Sequence, residues 1–346
     1  MLSKIRKRNS LQRSTLPVHA TAQGQAFPCL RTPQAAEDAT EIADWSAGIG
    51  WDVTYQQVTR GEFSGSFHAS TRTGLVLHYH YAEPSVIIRG CAPRGMFALA
   101  VSEVALTPPI FQGYRLTASQ VITMHPGSDA VLRSPERTGV SSVSIPADRL
   151  DQALLTYGNL PLSQLGQKAW AWDFTAARAS TIHTLIRRAI SMAAEVDACT
   201  GSLAEIKKLE DRLIQTIAFG LLEGTSAGPS TVARRNRTRY VRRACDYVES
   251  HLHDGINAEA LANACGVSLR TLEYAFADVL NIRLHEYIKG RRLNAARHDL
   301  VRCQSLGLSV SRVALDYGFS HLSLFAKSYC NFFGELPSDT LRSHRT

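Results

Sequence analysis

Two stretches near the end of the chain share one spelling, and this repeat constrains the fold more than any other feature. They read LANACGVSLRTLEYAF at 261–276 and VALDYGFSHLSLFAKSY at 313–329. In each, an aliphatic residue, an alanine and three further residues precede a glycine, which is followed by an apolar residue, a serine and an amphipathic stretch. Gly266 and Gly318 are expected just past helix ends, where a left-handed backbone favours glycine. Each copy therefore predicts a helix-turn-helix.

Polar residues stand where each predicted helix should begin. Asn257 and Ser309 precede the first helix of each copy, and Ser268 and Ser320 precede the second. Their side-chain oxygens can accept hydrogen bonds from the unpaired backbone N–H groups of a first turn, so we expect all four to be N-caps. Apolar residues at helical spacing predict the buried faces of the second helices: Leu272, Phe276 and Leu280 in the first copy, and Leu322, Phe325, Tyr329 and Phe332 in the second.

The outward side chains of the second helices predict a surface that reads DNA. A helix in the major groove presents its N-terminal residues to base edges, where Arg or Lys donates to guanine, Glu accepts from cytosine and an apolar group contacts a thymine methyl. Short capped helices are also common in protein cores, but two copies in one segment favour DNA binding. The candidate base-reading residues are Arg270, Thr271, Glu273, Tyr274, His321, Ser323, Leu324 and Lys327, and the helix starts at Ser268 and Ser320 are candidates for phosphate contact.

The charge of the chain is concentrated at its two ends. The net charge is +8, and residues 231–346 hold 17 basic against 11 acidic side chains, whereas residues 31–230 hold 16 against 19. A basic C-terminal region joined to a slightly acidic middle is typical of a domain that binds a polyanion. A solvated basic surface is the alternative reading of the charge alone. Six arginines at the start of this region (234, 235, 237, 239, 242 and 243) and three further on (291, 292 and 297) either contact phosphates or belong to solvated and acid-paired surfaces.

Other features of the composition exclude several classes of protein. No apolar run approaches the roughly 18–20 residues that span a bilayer, and no apolar segment of a signal peptide follows the basic N-terminus. The seven cysteines are scattered and form no C-x-x-C motif, which argues against a zinc site or a disulfide framework. We therefore expect a globular protein of the cytoplasm with no membrane partner.

The N-terminal half has a strand-like texture. Between 51 and 146, short alternating or β-branched runs are separated by Gly and Pro, with no helical segments between them, which predicts a barrel or sandwich. From 147 onward the spacing of apolar residues becomes helical. Two antiparallel helices within 176–223 could pack on the barrel or pair with a second subunit. The Gly, Ser, Pro and Arg content of 224–239 is typical of a linker.

Residues 240–340 resemble the C-terminal DNA-binding domain of the arabinose-regulator (AraC/XylS) family of bacterial transcription factors. The resemblance rests on the motif A-x-x-Y-G-F-S-x-x-S-x-F from Ala314 and the trailing F-F-G-x-x-P. It implies two helix-turn-helix units joined by one long helix, at about 284–301, with recognition helices in successive major grooves about 34 Å apart. The family usually has Gly and Pro where this chain has Asn281 and Leu284. Asn tolerates the left-handed turn, and Gly290 inside the long helix indicates either close packing or a bend.

The segment GLVLHYHYAEP is where enzyme chemistry could lie. His78, His80 and Glu83 loosely resemble the first metal motif of cupins, and residues i and i+2 of a strand share a face, so both histidines could point into a barrel. The spacing is shorter than the motif, and no histidine follows Pro126-Gly127, so ordinary barrel histidines are favoured. We assign no metal ligand, cofactor or catalytic residue. The aromatic residues Trp51, Phe63, Phe67, Tyr79 and Tyr81 are expected in the core more than at a ligand.

Residues 45–150 also resemble, diffusely, the sensor domains of this regulator family, especially the ethanolamine-utilisation regulators. The resemblance implies a cupin-like barrel that binds a small effector or a partner, with effector-binding residues unassigned, followed by helices used for dimerisation.

The predicted fold class is α+β with two domains: an N-terminal cupin-like β-barrel sensor with trailing helices, and an all-α C-terminal domain. The expected divisions are a loosely ordered basic N-terminus (1–45), the barrel (46–150), a helical connector (151–223), a linker (224–239) and a double helix-turn-helix domain (240–340).

The predicted function is that of a sequence-specific transcriptional regulator and not an enzyme. Its expected partners are double-stranded DNA, a small-molecule effector, a second copy of the chain and RNA polymerase; activation and repression both remain open. Two alternatives are a metal-dependent cupin enzyme with an appended DNA-binding domain and a sequence-blind basic architectural protein.

Overall fold

A computed structural model describes residues 18–20, 26–28, 34–103, 105–165, 170–197, 202–226, 232–302 and 309–343. Most of the segment expected to be loosely ordered (1–45) lies outside these residues. Its end is ordered, contrary to that expectation, because helix α1 (Ala39–Gly48) begins with a capping box. The Asp38 carboxylate accepts the Thr40 N–H at 2.7 Å, and Glu41 accepts the N–H of Asp38 at 3.2 Å.

Two antiparallel sheets form the N-terminal half, as the strand pattern predicted. The eight-stranded sheet has the order β15-β14-β11-β8-β13-β6-β5-β3, and the five-stranded sheet has the order β10-β9-β12-β7-β4. A separate two-stranded antiparallel sheet pairs β1 (Val18–Ala20) with β2 (Ala26–Pro28). The strands are β3 (Gln34–Ala36), β4 (Asp52–Gln57), β5 (Gly65–Ser70), β6 (Val76–Ala82), β7 (Val86–Cys91), β8 (Met96–Ser102), β9 (Ile110–Phe111), β10 (Tyr114–Arg115), β11 (Gln120–Met124), β12 (Asp129–Ser134), β13 (Thr138–Pro146), β14 (Trp170–Asp173) and β15 (Thr225–Ser226). We call this two-sheet unit the barrel, although its sheets do not close into one.

The eight-stranded sheet is covered on both faces. In β6, Val76 belongs to the core between the two sheets, whereas Leu77 and Tyr79 belong to a second core beneath the helices. Successive side chains of a strand point to opposite faces, which is why one strand serves both cores. The covering helices are α2 (Ala147–Gly158), α3 (Ala176–Asp197) and α4 (Leu203–Glu223), with a 3-10 turn at Leu162–Leu165.

The C-terminal half is helical among its described residues. Its helices are α5 (Val232–Ser250), α6 (Ala258–Cys265), α7 (Leu269–Leu280), α8 (Leu284–Arg302), α9 (Val310–Asp316), α10 (Leu322–Phe333) and α11 (Pro337–Ser343). The expected linker 224–239 is wrong for its second half, because α5 begins at Val232. Alanine and arginine are good helix formers, and no Gly or Pro follows Pro229 in that stretch; residues 227–231 lie outside the described part.

The helical half packs on the outer face of the five-stranded sheet. Ile87 of β7 and Val131 of β12 are buried in the same core as the helices. Their neighbours Ile88 and Leu132 point the other way, toward the interior of the barrel. The wall of the barrel is therefore also the floor on which the helical half rests.

One buried carboxyl on α4 makes the stability of the fold sensitive to pH. Glu210 is 1% exposed, and its Oε2 lies 3.9 Å from Nη1 of Arg149. Burial raises the pKa of Glu210 to about 7, and its effect exceeds the opposing effect of Arg149. Because the pKa is higher in the folded chain, the stabilisation from the neutral carboxyl is complete below pH 4.5 and is lost as pH rises to about 7.

We predict that Glu210→Gln reduces the dependence of the free energy of unfolding on pH. From pH 5 to pH 8, ionisation of Glu210 should lower the free energy of unfolding of the wild-type chain by up to about 3 kcal/mol, and the Gln variant should lack this contribution. Urea unfolding at both pH values measures it. Glu205→Gln, an exposed position on the same helix, is the matched control and should behave as wild type. Equal pH slopes in wild type and Glu210→Gln would contradict the assignment.

Candidate nucleic-acid interface

The first helix-turn-helix, α6 and α7, is capped as its sequence predicted. The Asn257 side chain accepts the N–H groups of Glu259 at 2.8 Å and Ala260 at 3.4 Å. Gly266 ends α6 with a left-handed backbone at φ 74°. The Ser268 hydroxyl accepts the Thr271 N–H at 3.2 Å and so begins α7. These local bonds set the angle between the two helices.

The second helix-turn-helix, α9 and α10, follows the same plan with one difference. Ser309 caps α9 by accepting the Arg312 N–H at 3.2 Å, and Gly318 has a left-handed backbone at φ 75°. The prediction that Ser320 caps α10 is wrong, because α10 begins at Leu322 with His321 as its N-cap and no side-chain capping bond. The second copy carries one inserted residue, which moves the helix start past the serine.

The structure places every candidate base-reading residue on the surface. The eight side chains on the leading turns of α7 and α10 are exposed, and Tyr274 and Leu324 are 62% and 60% exposed. Leu272, Phe276 and Leu280 are buried in the core, as are Phe325 and Tyr329. Leu322 is 42% exposed, so the prediction that it belongs to the buried face of α10 is wrong. Phe332 is half-buried. Ser268 and Ser320 are both exposed.

The long helix α8 joins the two units close to the predicted bounds. The turn before it is held by Asn281 in the left-handed conformation (φ 50°, ψ 40°), so the substitution for glycine preserves the turn. Gly290 marks close packing: a Cβ on this residue would lie 3.4 Å from Nε2 of Gln56 on β4.

The structure divides the arginines into two groups. Arg237 donates to Asp278 at 2.8 Å, Arg242 pairs with Asp129, and Arg291 forms two bonds with Glu249 at 2.5 and 2.7 Å. Arg297 is buried and donates to Asp38 at 2.9 Å and to Glu335. Sequence reasoning could not separate these from the exposed arginines, which lie four residues apart on one face of α5: Arg235, Arg239 and Arg243.

The three residues resembling a metal motif do not come together. His78 and His80 point into the barrel, as expected, and are stacked with ring centroids 5.9 Å apart. Glu83 instead lies at the rim, where it accepts the Tyr81 hydroxyl at 3.2 Å and the Arg137 guanidinium at 3.3 Å. Within the described residues, no three metal-ligating side chains cluster.

A small cavity lies around the two histidines, between the sheets. Its volume is about 60 Å³, and Trp51, Tyr55, Ile88 and Leu132 are among its walls. Trp51 therefore lines a cavity, whereas Phe63 and Phe67 are core residues and Tyr79 packs beneath the covering helices; Tyr81 is half-buried.

Three polar atoms around this cavity are buried without a hydrogen-bond partner: Nε1 of Trp51, Nδ1 of His78 and Nε2 of His80. Burial, with a smaller contribution from neighbouring His80, holds the pKa of His78 well below its usual range. Burial lowers the pKa of His80 to about 4. Both imidazoles are therefore neutral at physiological pH. The Tyr55 hydroxyl lies 3.2 Å from Nδ1 of His80.

Among the described residues, no helix combines the length and the apolar character that crossing a bilayer requires.

Comparisons with known proteins agree with this geometry. A family profile described as a helix-turn-helix domain matches residues 261–343. The XylDLEGF operon transcriptional activator 2 of Pseudomonas putida is 36% identical over 129 residues, which cover 37% of this chain and 82% of the relative. The XylDLEGF operon transcriptional activator of the same organism is 33% identical over 135 residues, and there the match spans 42% of the relative's length.

A solved structure of a probable AraC family transcriptional regulator from Rhodopseudomonas palustris is 33% identical. The match covers 31% of this chain and 98% of that one, with a TM-score of 0.29. The paired helix-turn-helix units, their capped helices and the similarity to these activators lead to one conclusion. The chain belongs to the AraC/XylS family of transcriptional regulators, whose helix-turn-helix domain binds DNA.

Proposed function

We propose that the chain is a sequence-specific regulator that reads two successive major grooves with α7 and α10 and responds to a small molecule held in its barrel. One observation supports the reading of two grooves: the leading turns of α7 and α10 are both exposed, while the opposite faces of these helices are buried. A sequence-blind architectural protein would favour Lys and Arg at these positions, whereas this surface mixes one Arg and one Lys with acidic, aromatic, hydroxyl and aliphatic side chains.

Each exposed side chain suits a particular base edge. Arg270 can donate two hydrogen bonds to guanine O6 and N7, Glu273 can accept from cytosine N4, and Leu324 can contact a thymine methyl. Thr271, Tyr274, His321, Ser323 and Lys327 complete the proposed base-reading surface.

Phosphate contact is assigned to a different set of groups. The exposed arginines of α5 (Arg235, Arg239 and Arg243) form a positive stripe, and the backbone N–H groups at the starts of α7 and α10 favour anions. Because α10 lacks a side-chain cap, its first-turn N–H groups suit a phosphate oxygen beside Ser320. These groups would supply affinity and orientation, and the base-reading surface would supply specificity.

Each part of the chain has a role in this proposed regulator. The barrel is the proposed sensor, and its larger sheet includes β3, β14 and β15, which lie outside the expected range 46–150. Within the connector 151–223, α3 and α4 are the proposed dimerisation helices. The helical half from α5 onward is the DNA-binding domain of a regulator that works on the chromosome in the cytoplasm alongside RNA polymerase. No catalytic step is proposed, since the barrel histidines and Glu83 are directed to different places.

The cavity between the sheets is the proposed effector site. A larger open cleft of about 710 Å³ lies outside, lined by Arg60, Glu62 and Arg137 among others, but solvent can satisfy its polar groups. The inner cavity instead contains buried Trp and His nitrogens without partners, and an unpaired buried polar group costs about 1–3 kcal/mol. A ligand with a hydrogen-bonding group would remove that cost.

The cavity favours an uncharged ligand of few atoms. Its volume of about 60 Å³ holds roughly four water-sized groups. Its titratable side chains are two neutral imidazoles and the Tyr55 phenol, whose pKa is raised by burial, so that it too is neutral. Its other walls are mostly apolar. A buried ion without a paired charge would be strongly disfavoured there. Small alcohols, aldehydes or amides fit these limits.

We predict that Arg270→Ala weakens binding at particular base pairs. The loss should be about 1–3 kcal/mol on the preferred duplex, with relaxed preference at the positions Arg270 contacts. Arg239→Ala is the matched control: it should weaken binding evenly across sequences and lower the salt slope by about 1. Titrations against a panel of singly substituted duplexes measure both. An even loss for Arg270→Ala would rule out direct readout by this residue.

We predict that the full-length chain selects a specific duplex from random DNA. If about six phosphates are contacted, affinity should fall on the order of a thousandfold between 50 and 200 mM salt. Repeated rounds of selection, followed by titration at several salt concentrations, provide the measurement. Failure to enrich any duplex over bulk DNA would contradict the proposed function.

We predict that 1-propanol raises the melting temperature of the protein more than propionate or propylammonium does. A ligand at a hundredfold its Kd stabilises the folded state by about 2.7 kcal/mol, and the three probes match in shape while differing in charge. Ala130→Leu places extra carbons in the cavity wall and should abolish the effect. Equal stabilisation by a charged probe, or an unchanged response in Ala130→Leu, would show that the ligand binds elsewhere.

A further inference from the structure

The barrel holds each recognition helix by its C-terminal end. Arg133 of β12 donates from Nη1 to the Leu280 carbonyl at 2.8 Å and the Asn281 carbonyl at 2.6 Å, at the end of α7. The Gly61 N–H, in the loop between β4 and β5, donates to the Phe332 carbonyl near the end of α10 at 2.9 Å. The last carbonyls of a helix have no partner within it and carry partial negative charge. A guanidinium suits that position, and the leading turns of both helices stay exposed.

These two attachments are connected to each other through the barrel rim. Nε of Arg133 donates to the Ser85 hydroxyl at 3.4 Å, and the Ser85 N–H donates to the Thr59 hydroxyl at 2.8 Å. The Gln57 side chain donates to the carbonyls of Thr59 at 2.9 Å and Gly61 at 2.8 Å. A continuous path of hydrogen bonds, which we call the rim network, therefore runs from the end of α7 to the end of α10.

The helix that joins the two units is fixed to the same network. The Gln57 N–H donates to Oδ1 of Asn294 at 3.1 Å, and Nδ2 of Asn294 returns a bond to the Gln57 carbonyl at 3.1 Å. Both residues are buried. Gly290, one turn earlier on α8, lies beside β4, where a Cβ on it would be 3.4 Å from Nε2 of Gln56. The two recognition helices are thus connected twice, once through α8 and once through the barrel.

We propose that Arg133 and Thr59 are positioning residues: through the rim network they fix α7 and α10 relative to each other, so that the barrel sets the half-site spacing the chain accepts. The inference rests on the proposed reading of two grooves. Two units joined by one helix alone could rock about it, whereas a second connection restrains them. One inserted base pair shifts a half-site by about 3.4 Å and rotates it by about 34°, so a restrained pair should discriminate sharply between spacings.

The test compares spacings on the duplex that the wild-type full-length chain selects. The probes are that duplex, versions with one base pair inserted or removed between the half-sites, and a version with one half-site scrambled. Wild type should prefer the original spacing by about thirtyfold or more. R133Q should bind it about tenfold more weakly, discriminate between spacings less than threefold, and bind the single half-site as wild type does. R133K, which keeps the cation, should fall between them.

Two further variants keep the result interpretable. T59A breaks the middle of the rim network without touching either helix and should also lose spacing preference; if R133Q does not fold, T59A decides alone. R137Q, whose arginine is 79% exposed and pairs with Glu83, is the matched control and should match wild type. Retained spacing preference in both R133Q and T59A, or an equal loss on every duplex including the single half-site, would overturn the inference. A wild-type chain that selects no duplex would instead overturn the proposed function beneath it.

Discussion

The five-stranded sheet is the element on which the other parts of the structure depend, because both of its faces are buried by different partners. The register pairs Tyr55 with Ile88 and Ile88 with Leu132 in one row across β4, β7 and β12. This row faces the cavity. The next row, shifted by one residue, pairs Gln56 with Ile87 and Ile87 with Arg133. It faces the helical half: Gln56 contacts the Tyr287 carbonyl at 3.4 Å, Ile87 enters the helical core and Arg133 holds α7.

This arrangement places the cavity and the helical half on opposite faces of one sheet. A sheet with one face in water can adjust its outer side chains freely, but packed interiors transmit displacement because they contain little free volume. Residues that touch the cavity and residues that touch the DNA-binding half alternate along β7 and β12. On β12, Leu132 in the cavity wall is therefore the immediate neighbour of Arg133 in the rim network. The barrel therefore encloses the cavity with one face of this sheet and supports the helical half with the other.

Much of the DNA-binding half could be predicted from sequence because its signals are local. Asn257, Ser268 and Ser309 each cap a helix by accepting an N–H no more than three residues away. Gly266 and Gly318 adopt the left-handed backbone that their position just past a helix end predicts. The predictions for the start of α10 were wrong because one inserted residue changes which residue caps the helix. The insertion before α10 moved the N-cap from Ser320 to His321, and Leu322 is exposed.

The sequence by itself determined most of the helices and strands, where most helices are capped, and which side chains of α7 and most of α10 face inward, since backbone sterics and periodic apolar residues act over a few positions. It did not predict α1, β14 or the first part of α5, which lie in segments expected to be loosely ordered, helical and a linker. Only the tertiary structure decided which arginines are free to meet phosphate. Arg237, Arg242 and Arg297 find acids at 278, 129 and 38, partners as much as 259 positions away along the chain. The hydrogen bonds from the barrel to the C-terminal ends of α7 and α10 also join residues far apart in sequence. Contacts of that kind depend on how the sheet and the helices come together, and no short stretch of residues carries that information.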